Sequence, residues 1–314
     1  MKNTKIEWAD HTFNPWIGCT KVDELCANCY AESWDARYRG GRNWGKGAPR
    51  EKTVESYWKQ PLRWEKEARL VAEYLARYGA IPRRPRVFAG SMCDWLDAEV
   101  PLDWLRSLLT LTQTCPHLDW LLLTKRPQLC RPRLEAIMAT EGETDHVTAQ
   151  CIARNWLKGN FPANLWIGTS WSPSRMVELL KIPARVHFLS CEPMLGPVSI
   201  APFQIDWVIC GGESGPKARP MDPDWATGLR DQCVPAGVPF FFKQWGEWAP
   251  WDFNVKWGDN WDRCNNVHTF GVGEAARVVY RVGKKLAGRS LECREWSQFP
   301  EVNPVNPESK EVCA

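Results

Sequence analysis

The chain has 314 residues, 44% hydrophobic and 25% charged, the balance of an ordinary soluble protein, and it contains no apolar run of the length, about 18 residues, that crosses a bilayer. Forty basic and 37 acidic side chains leave a formal net charge of +3, which neither demands nor excludes a nucleic-acid partner. The first residues, MKNTKIEWADHTF, lack the apolar stretch of a secretory signal, so a cytoplasmic location is expected, and thirteen cysteines in that reducing compartment are not read as a disulfide framework.

Seven short apolar runs recur with room for a helix between most of them: FNPWIGC (13–19), RVFAGSM (86–92), DWLLLTK (119–125), NLWIGTS (164–170), VHFLSCE (186–192), DWVICGG (206–212) and PFFFKQW (239–245). Such spacing predicts repeated β-α units with a parallel sheet. Helices are expected near 51–78, 102–113, 128–139, 146–157, 173–180 and 223–233, and the link from 193 to 205 is too short for much helix. Each run closes on small or polar residues: Cys19; Ser91 to Asp94; Thr124, Lys125 and Arg126; Thr169 and Ser170; Glu192; Gly211 to Ser214; Lys243 and Gln244. In parallel α/β barrels the carboxyl ends of the strands face one common site. The fold expected is therefore α/β, a partial (β/α) barrel of six to seven parallel strands over residues 1–246 with one site at its mouth. Beyond it the composition turns Trp- and Gly-rich, and 247–314 reads as an appended segment or lid in which ARVVYRVGKK makes a strand and turn.

The stretch NPWIGCTKVDELCANCYAES (14–33) spaces Cys19, Cys26 and Cys29 as C-x6-C-x2-C. Three readings compete. A structural zinc site needs a fourth ligand, which His11 or a distant cysteine would supply. Unligated cysteines are common core residues. A [4Fe–4S] cluster on three thiolates leaves one iron open to a substrate or cofactor, and a loop placed after the first strand of a barrel favours this reading.

A cysteine loop after strand one of a partial α/β barrel resembles the radical S-adenosylmethionine superfamily, whose common spacing is C-x3-C-x2-C. Here the first gap is longer, and Asn28 replaces the usual aromatic before the last cysteine. NPWIGCTKVDELCANCYAE, GGESGPKARPM, FKQWGEW and VGKKLAGRSLECREW together resemble a phage-associated family with a three-cysteine motif, over nearly the whole chain. The superfamily resemblance implies that Cys19, Cys26 and Cys29 hold the cluster, that S-adenosylmethionine chelates its open iron, and that an external electron donor reduces it to start hydrogen abstraction. Cofactor contacts are then expected from Gly211, Gly212 and Glu213, with Glu213 joining the three cysteines as a catalytic residue. Ser91 and Asp94 stand at the second strand, where the superfamily's glycine-rich strand end lies. Thr169, Ser170 and Glu192 are further candidates. Lys125, Arg126 and Lys243 would hold a carboxylate or phosphate, and Glu192 would pair with Lys125 or bind cofactor. Cys93, Cys191 and Cys210, also at strand ends, read as hydrogen-atom donors or as core.

The phage resemblance implies a host-cell cytoplasmic enzyme acting on nucleic acid, on a modified base in phage DNA rather than RNA; a monomer with no membrane partner is expected. Twenty tryptophans fit that picture as stacking faces, with Trp44, Trp58 and Trp64 after the cysteine loop and Trp245, Trp248, Trp251, Trp257 and Trp261 in the tail. A base in a duplex would have to be flipped out. The same rings also read as packing between tail and barrel. Rival functions are a zinc-stabilised nucleic-acid-binding protein without catalysis, and a radical enzyme acting on a free nucleotide or a peptide.

Overall fold

The computed structural model describes residues 1–139, 147–201, 203–251 and 266–302. The chain opens with β1 (His11–Phe13), β2 (Trp16–Ile17), α1 (Tyr30–Arg39), β3 (Glu51–Lys52), α2 (Glu55–Trp58) and α3 (Gln60–Ala76). It continues through β4 (Arg86–Ala89), α4 (Leu102–Thr114), β5 (Asp119–Thr124), α5 (Cys130–Ala139), α6 (Val147–Leu157), β6 (Leu165–Ser170), α7 (Pro173–Leu179), β7 (Val186–Cys191), β8 (Trp207–Gly211), α8 (Pro223–Cys233) and β9 (Phe240–Gln244). Seven strands form one sheet in the order β1-β4-β5-β6-β7-β8-β9, with parallel pairing. Helices cross between successive strands everywhere but from β7 to β8, as the short link predicts. This is the partial (β/α) barrel topology expected from the sequence.

The strands read as near-continuous apolar runs because both faces of the sheet are buried, as along Leu165–Ser170 and Trp207–Gly211. Helix α4 shows the matching pattern: Leu105, Leu108, Leu109 and Thr112, at i, i+3, i+4 and i+7, are all buried. The first apolar run is a correction. The strand expected over 13–19 lies earlier, at 11–13, because Pro15 has no N–H to continue the ladder. Trp16 and Ile17 instead pair antiparallel with Lys52 and Glu51. The helix expected over 51–78 begins with that short strand and then breaks into α2 and α3, with Pro61 in the first turn of α3.

Packing divides the chain into two compact units, the first chiefly Met1–Lys21 with Ala31–His187, the second Val22–Tyr30 with Phe188–Pro300. In the first unit Phe13 meets Trp120 edge-on at 5.9 Å and stacks on Tyr57 at 5.3 Å, and Trp95 stacks on Trp156 at 6.3 Å. Ion pairs mark the amino ends of its strands. Asp10 pairs with Arg83 at 2.7 Å and Arg86 at 3.6 Å, and Asp119 lies 3.6 Å from Arg84.

Burial pushes the Asp119 carboxyl up to about 6, against the pull of Arg84, Arg185 and Arg86. A pKa raised on folding gives stability that is complete below the unfolded value, 3.8, and is lost as pH rises through about 6. Urea unfolding of the wild type should therefore lose on the order of 2–3 kcal/mol relative to Asp119→Asn over that window. Parallel pH profiles of the two proteins would refute the assignment.

In the second unit Phe188, Trp207, Phe240, Phe241 and Phe242 are fully buried. After β9 come β10 (Trp248–Pro250), β11 (Val267–Phe270) and β12 (Arg277–Arg281), an antiparallel sheet in the order β10-β12-β11, then α9 (Lys284–Ala287) and the pair β13 (Ser290–Leu291) and β14 (Arg294–Glu295). The strand and turn expected from ARVVYRVGKK are β12 and Gly283, whose φ is 85°. Strand β9 ends the sheet, and residues 296–298 run beside it. Phe242 N donates to Trp296 O at 2.9 Å, Gln298 N to Phe240 O at 3.2 Å, and Phe240 N to the Gln298 side chain at 2.9 Å. Among the described residues no helix is long and apolar enough to cross a membrane.

Candidate functional site

The carboxyl ends of β1, β4, β5 and β6 carry a connected set of polar side chains in the first unit. Directly after β1, the Asn14 side-chain oxygen accepts from Met92 N at 2.9 Å and from the Ser91 hydroxyl at 3.1 Å. Gly18, at φ 115°, then passes so close to a neighbouring loop that a Cβ would lie 2.5 Å from Asn43 O. Only glycine fits that approach in that conformation. Its N–H donates to Met92 O, and bridges pair Gly18 with Cys93 and Cys19 with Trp44, so Cys19 is held on both sides.

Asp94, in the loop that follows β4, is buried and accepts four hydrogen bonds: Thr124 Oγ1 at 2.7 Å, Arg126 Nη1 at 2.8 Å, Lys125 N at 2.9 Å and Leu96 N at 3.0 Å. It thereby fixes the direction of Arg126. Arg126 in turn donates to Thr20 O and reaches the Cys19 sulfur at 3.6 Å. Burial pushes the Cys19 thiol up to about 12, Asp94 adding to the rise while Arg126 opposes it. Burial by itself would lower the Arg126 pKa, but Asp94 and Cys19 more than offset it, and the guanidinium stays charged. Thr169 donates to Thr124 O at 2.8 Å. Ser170 is 1% exposed, and its hydroxyl oxygen has no hydrogen-bond partner among the described residues. Lys125 is half-buried at the end of β5, and no carboxylate among the described residues pairs with its ammonium.

A buried ion pair supports this arrangement from below. Arg50 donates to Asp97 at 2.9 Å, to Ala48 O at 2.7 Å and to Thr20 Oγ1 at 2.7 Å, with the side chains of Arg50 and Asp97 only 1% and 2% exposed.

The second unit holds the other part of the cysteine loop. Asp23 caps a 3-10 turn at Glu24–Cys26 by accepting from Leu25 N at 3.0 Å. Glu213 is buried, and its carboxylate accepts from Asn28 Nδ2 at 3.0 Å, Arg219 N at 2.8 Å, Arg219 Nε at 2.9 Å and Arg219 Nη2 at 2.6 Å. Arg219 also donates to Glu24 O at 3.1 Å. Although burial raises the Glu213 pKa, the bonds from Arg219 and Asn28 prevail and hold it below the usual carboxylate value. Glu213 thus clamps the turn between Cys26 and Cys29, with Arg219 as the second jaw.

Of the two glycines before it, Gly212 is the constrained one, since a Cβ there would lie 1.9 Å from Trp245 O, whereas at Gly211 the nearest atom is an ordinary 3.5 Å away. Glu192 pairs with Lys243 at 2.6 Å, within its own unit, rather than with the Lys125 expected from the sequence. Gln244 donates to Ser214 Oγ at 2.8 Å, and its Oε1 has no hydrogen-bond partner among the described residues. Cys191 and Cys210 are buried, with the Cys210 thiol donating to Met194 Sδ at 3.5 Å.

Among the described residues no three His, Cys, Asp or Glu side chains are gathered as a metal-holding group. Cys19, Cys26 and Cys29 are not joined in disulfides. The fit to an iron–sulfur cluster is therefore one of donor chemistry: three soft ligands in one loop, one of them beside a guanidinium that favours its thiolate. His11, offered as a fourth zinc ligand, stacks on Trp64 at 4.4 Å, and its Nδ1 accepts from Asn3 N at 3.3 Å.

Residues 3–300 match a family model described as "Protein of unknown function (DUF5131)". The chain belongs to the DUF5131 family. No curated protein matches it. Among solved structures this DUF5131 chain is similar to a mutant of spore photoproduct lyase, with 10% identity and a TM-score of 0.38 over 90% of this chain and 71% of that one. A mutant of the same lyase with bound AdoMet and dinucleoside spore photoproduct gives 11% identity and a TM-score of 0.37 over 87% and 69%. The lyase complexed with dinucleoside spore photoproduct gives 10% and 0.36 over 89% and 73%. At that distance the likeness carries no residue role from those lyases to the DUF5131 chain.

Asn14, Asn28, Arg50, Asp97 and Arg219 escaped the sequence reading. Two of them had a signal. Asn14 sits between strand and proline, where a side-chain acceptor stabilises a turn, and Arg219 lies in GGESGPKARPM, close enough in sequence to fold back on Glu213. The tryptophans divide by role. Trp64 and Trp245 are buried, Trp245 donating to Ser290 O at 2.7 Å. Trp44 and Trp58 are half-buried, as is Trp248, which donates to Ala218 O at 2.8 Å under the Arg281 guanidinium. Trp251 is exposed. Trp257 and Trp261 lie outside the described residues.

Proposed function

We propose that this DUF5131 protein is a radical S-adenosylmethionine enzyme in which Cys19, Cys26 and Cys29 hold a [4Fe–4S] cluster, and that it starts hydrogen abstraction on a modified base of nucleic acid, DNA rather than RNA. The observation that carries the chemistry is the setting of Cys19: after β1 of a parallel (β/α) sheet, its sulfur 3.6 Å from a guanidinium that Asp94 orients. When bound, the cluster supplies an open iron and an electron, drawn from an external donor, to the sulfonium of S-adenosylmethionine.

The chain's own groups have separable tasks. Arg126 lowers the cost of deprotonating a buried thiol that burial would otherwise keep protonated. Glu213, through Asn28 and Arg219, fixes the turn that presents Cys26 and Cys29. The Ser170 hydroxyl and Gln244 Oε1, buried with no hydrogen-bond partner among the described residues, are groups that a polar ligand would satisfy. Lys125 supplies a cation for a carboxylate or a phosphate.

The test is metal and sulfide analysis of the full chain after anaerobic reconstitution. About four iron and four sulfide per chain are expected, from the cluster type alone. One zinc per chain with iron rejected would overturn the reading in favour of a zinc-stabilised binding protein.

A further inference from the structure

We propose that the outward face of α1 is a docking surface for unpaired nucleic acid, its bases stacking on Trp34 and Tyr38 and its phosphates meeting Arg37 and Arg42. The inference rests on the nucleic-acid part of the function proposed above and is independent of the cluster.

The helix sequence YAESWDARYR places Trp34 and Tyr38 at i and i+4, on one face. The adjoining stripe is committed to the fold: Ala31 and Asp35 are buried, Asp35 accepting from Asn43 N at 3.1 Å. Outside, Trp34 is 38% and Tyr38 61% exposed, with ring centroids 5.3 Å apart. Arg37 places its guanidinium 5.3 Å over the Tyr38 ring, and Arg39 places its own 5.6 Å over Trp34. Arg39 also pairs with Glu51, a carboxylate that Arg42 reaches at 3.4 Å.

The result is one contiguous patch, Arg37–Tyr38–Trp34–Arg39–Glu51–Arg42, with three guanidinium groups against one carboxylate. Arg37 has no carboxylate partner among the described residues. Two exposed aromatic rings among arginines that outnumber their one carboxylate are the two elements that bind a single strand, stacking and backbone charge. An acidic protein would use the arginines but leave the rings idle. A duplex keeps its base faces in the stack, so only unpaired bases can offer them.

The full chain is titrated against a fluorescent single-stranded oligodeoxynucleotide at several salt concentrations, with anisotropy as the readout. Trp34→Ala and Tyr38→Ala should each weaken binding about 5- to 150-fold, the worth of one base stack, without changing the salt slope. Trp34→Phe, which keeps a ring, should recover most of the loss. Arg37→Ala should flatten the slope of log affinity against log salt by about 0.7, one single-strand phosphate.

Wild-type affinity in all three alanine variants would overturn the proposal, as would preference for duplex, equal competition by polyaspartate, or no binding by the wild type. Iron content measured on the same preparations separates the two readings. Iron-loaded chain that binds no oligonucleotide removes this surface and leaves the cluster standing. Iron-free chain whose binding responds to Trp34 and Arg37 does the reverse.

Discussion

Alanine in place of Cys19, Cys26 or Cys29 is expected to abolish iron loading and the broad absorbance near about 400 nm that accompanies it. The cluster proposed has only three protein ligands, so losing one leaves two thiols, too few to hold it. The residues that fix the ligands should matter in a graded way. Arg219→Ala frees both Glu213 and the Glu24 carbonyl, and Asn28→Ala removes the bond from the residue next to Cys29 to that same carboxylate. Outer partners of metal ligands typically carry about 10- to 100-fold in metal affinity, so these variants should load iron at higher iron concentrations and still reach full occupancy. Far-ultraviolet circular dichroism on each variant distinguishes lost ligation from lost fold. A Cys26→Ala protein with the iron content of the wild type would remove Cys26 from the ligand set.

Arg50→Ala should destabilise the protein by about 3–5 kcal/mol, because it leaves the Asp97 carboxylate buried without its charge partner. Asp97→Ala should cost less, because Arg50 keeps a second carboxylate, Glu99 at 3.2 Å. The double variant should lose clearly less than the sum, since neither orphaned charge remains. Chemical denaturation of the three proteins measures this, and additive losses would mean that the two side chains act separately. The pair also matters to the site, since Arg50 holds the hydroxyl of Thr20, the residue after Cys19.

Much of the fold was legible because burial on both faces of a parallel sheet writes itself as short apolar runs. DWLLLT, LWIGTS, VHFLSC, WVICG and FFFKQ lie within the apolar runs of the sequence. The first strand was misplaced because two of its residues, His11 and Thr12, are polar though buried, while the more apolar Trp16 and Ile17 beyond Pro15 serve a separate ladder. In the candidate site, residue types at strand ends were legible and pairings were not. Asp94 was legible as a polar residue following the second apolar run, with no hint that Arg126 would take its oxygen, because that choice depends on how two strand ends are staggered. The same holds for Glu213, whose partners lie 6 and 185 residues away in sequence. The tryptophan count pointed to aromatic surfaces but not to which rings stay outside. Trp34, in a helix that looks unremarkably amphipathic, is exposed, while Trp64 and Trp245 are buried.

Strand β9 is the last of the sheet, and its sequence is FFFKQ. The backbone of Trp296 and Gln298 occupies N–H and C=O groups that its outer side would otherwise present. Without that cover, three consecutive phenylalanines would sit on an open ladder, the kind of edge that recruits a second chain into continued sheet. Residues 296–298 therefore act as a guard against self-association. A protein shortened to end before Trp296 would keep every cysteine and strand-end group discussed above and would still be prone to assemble into aggregates through β9.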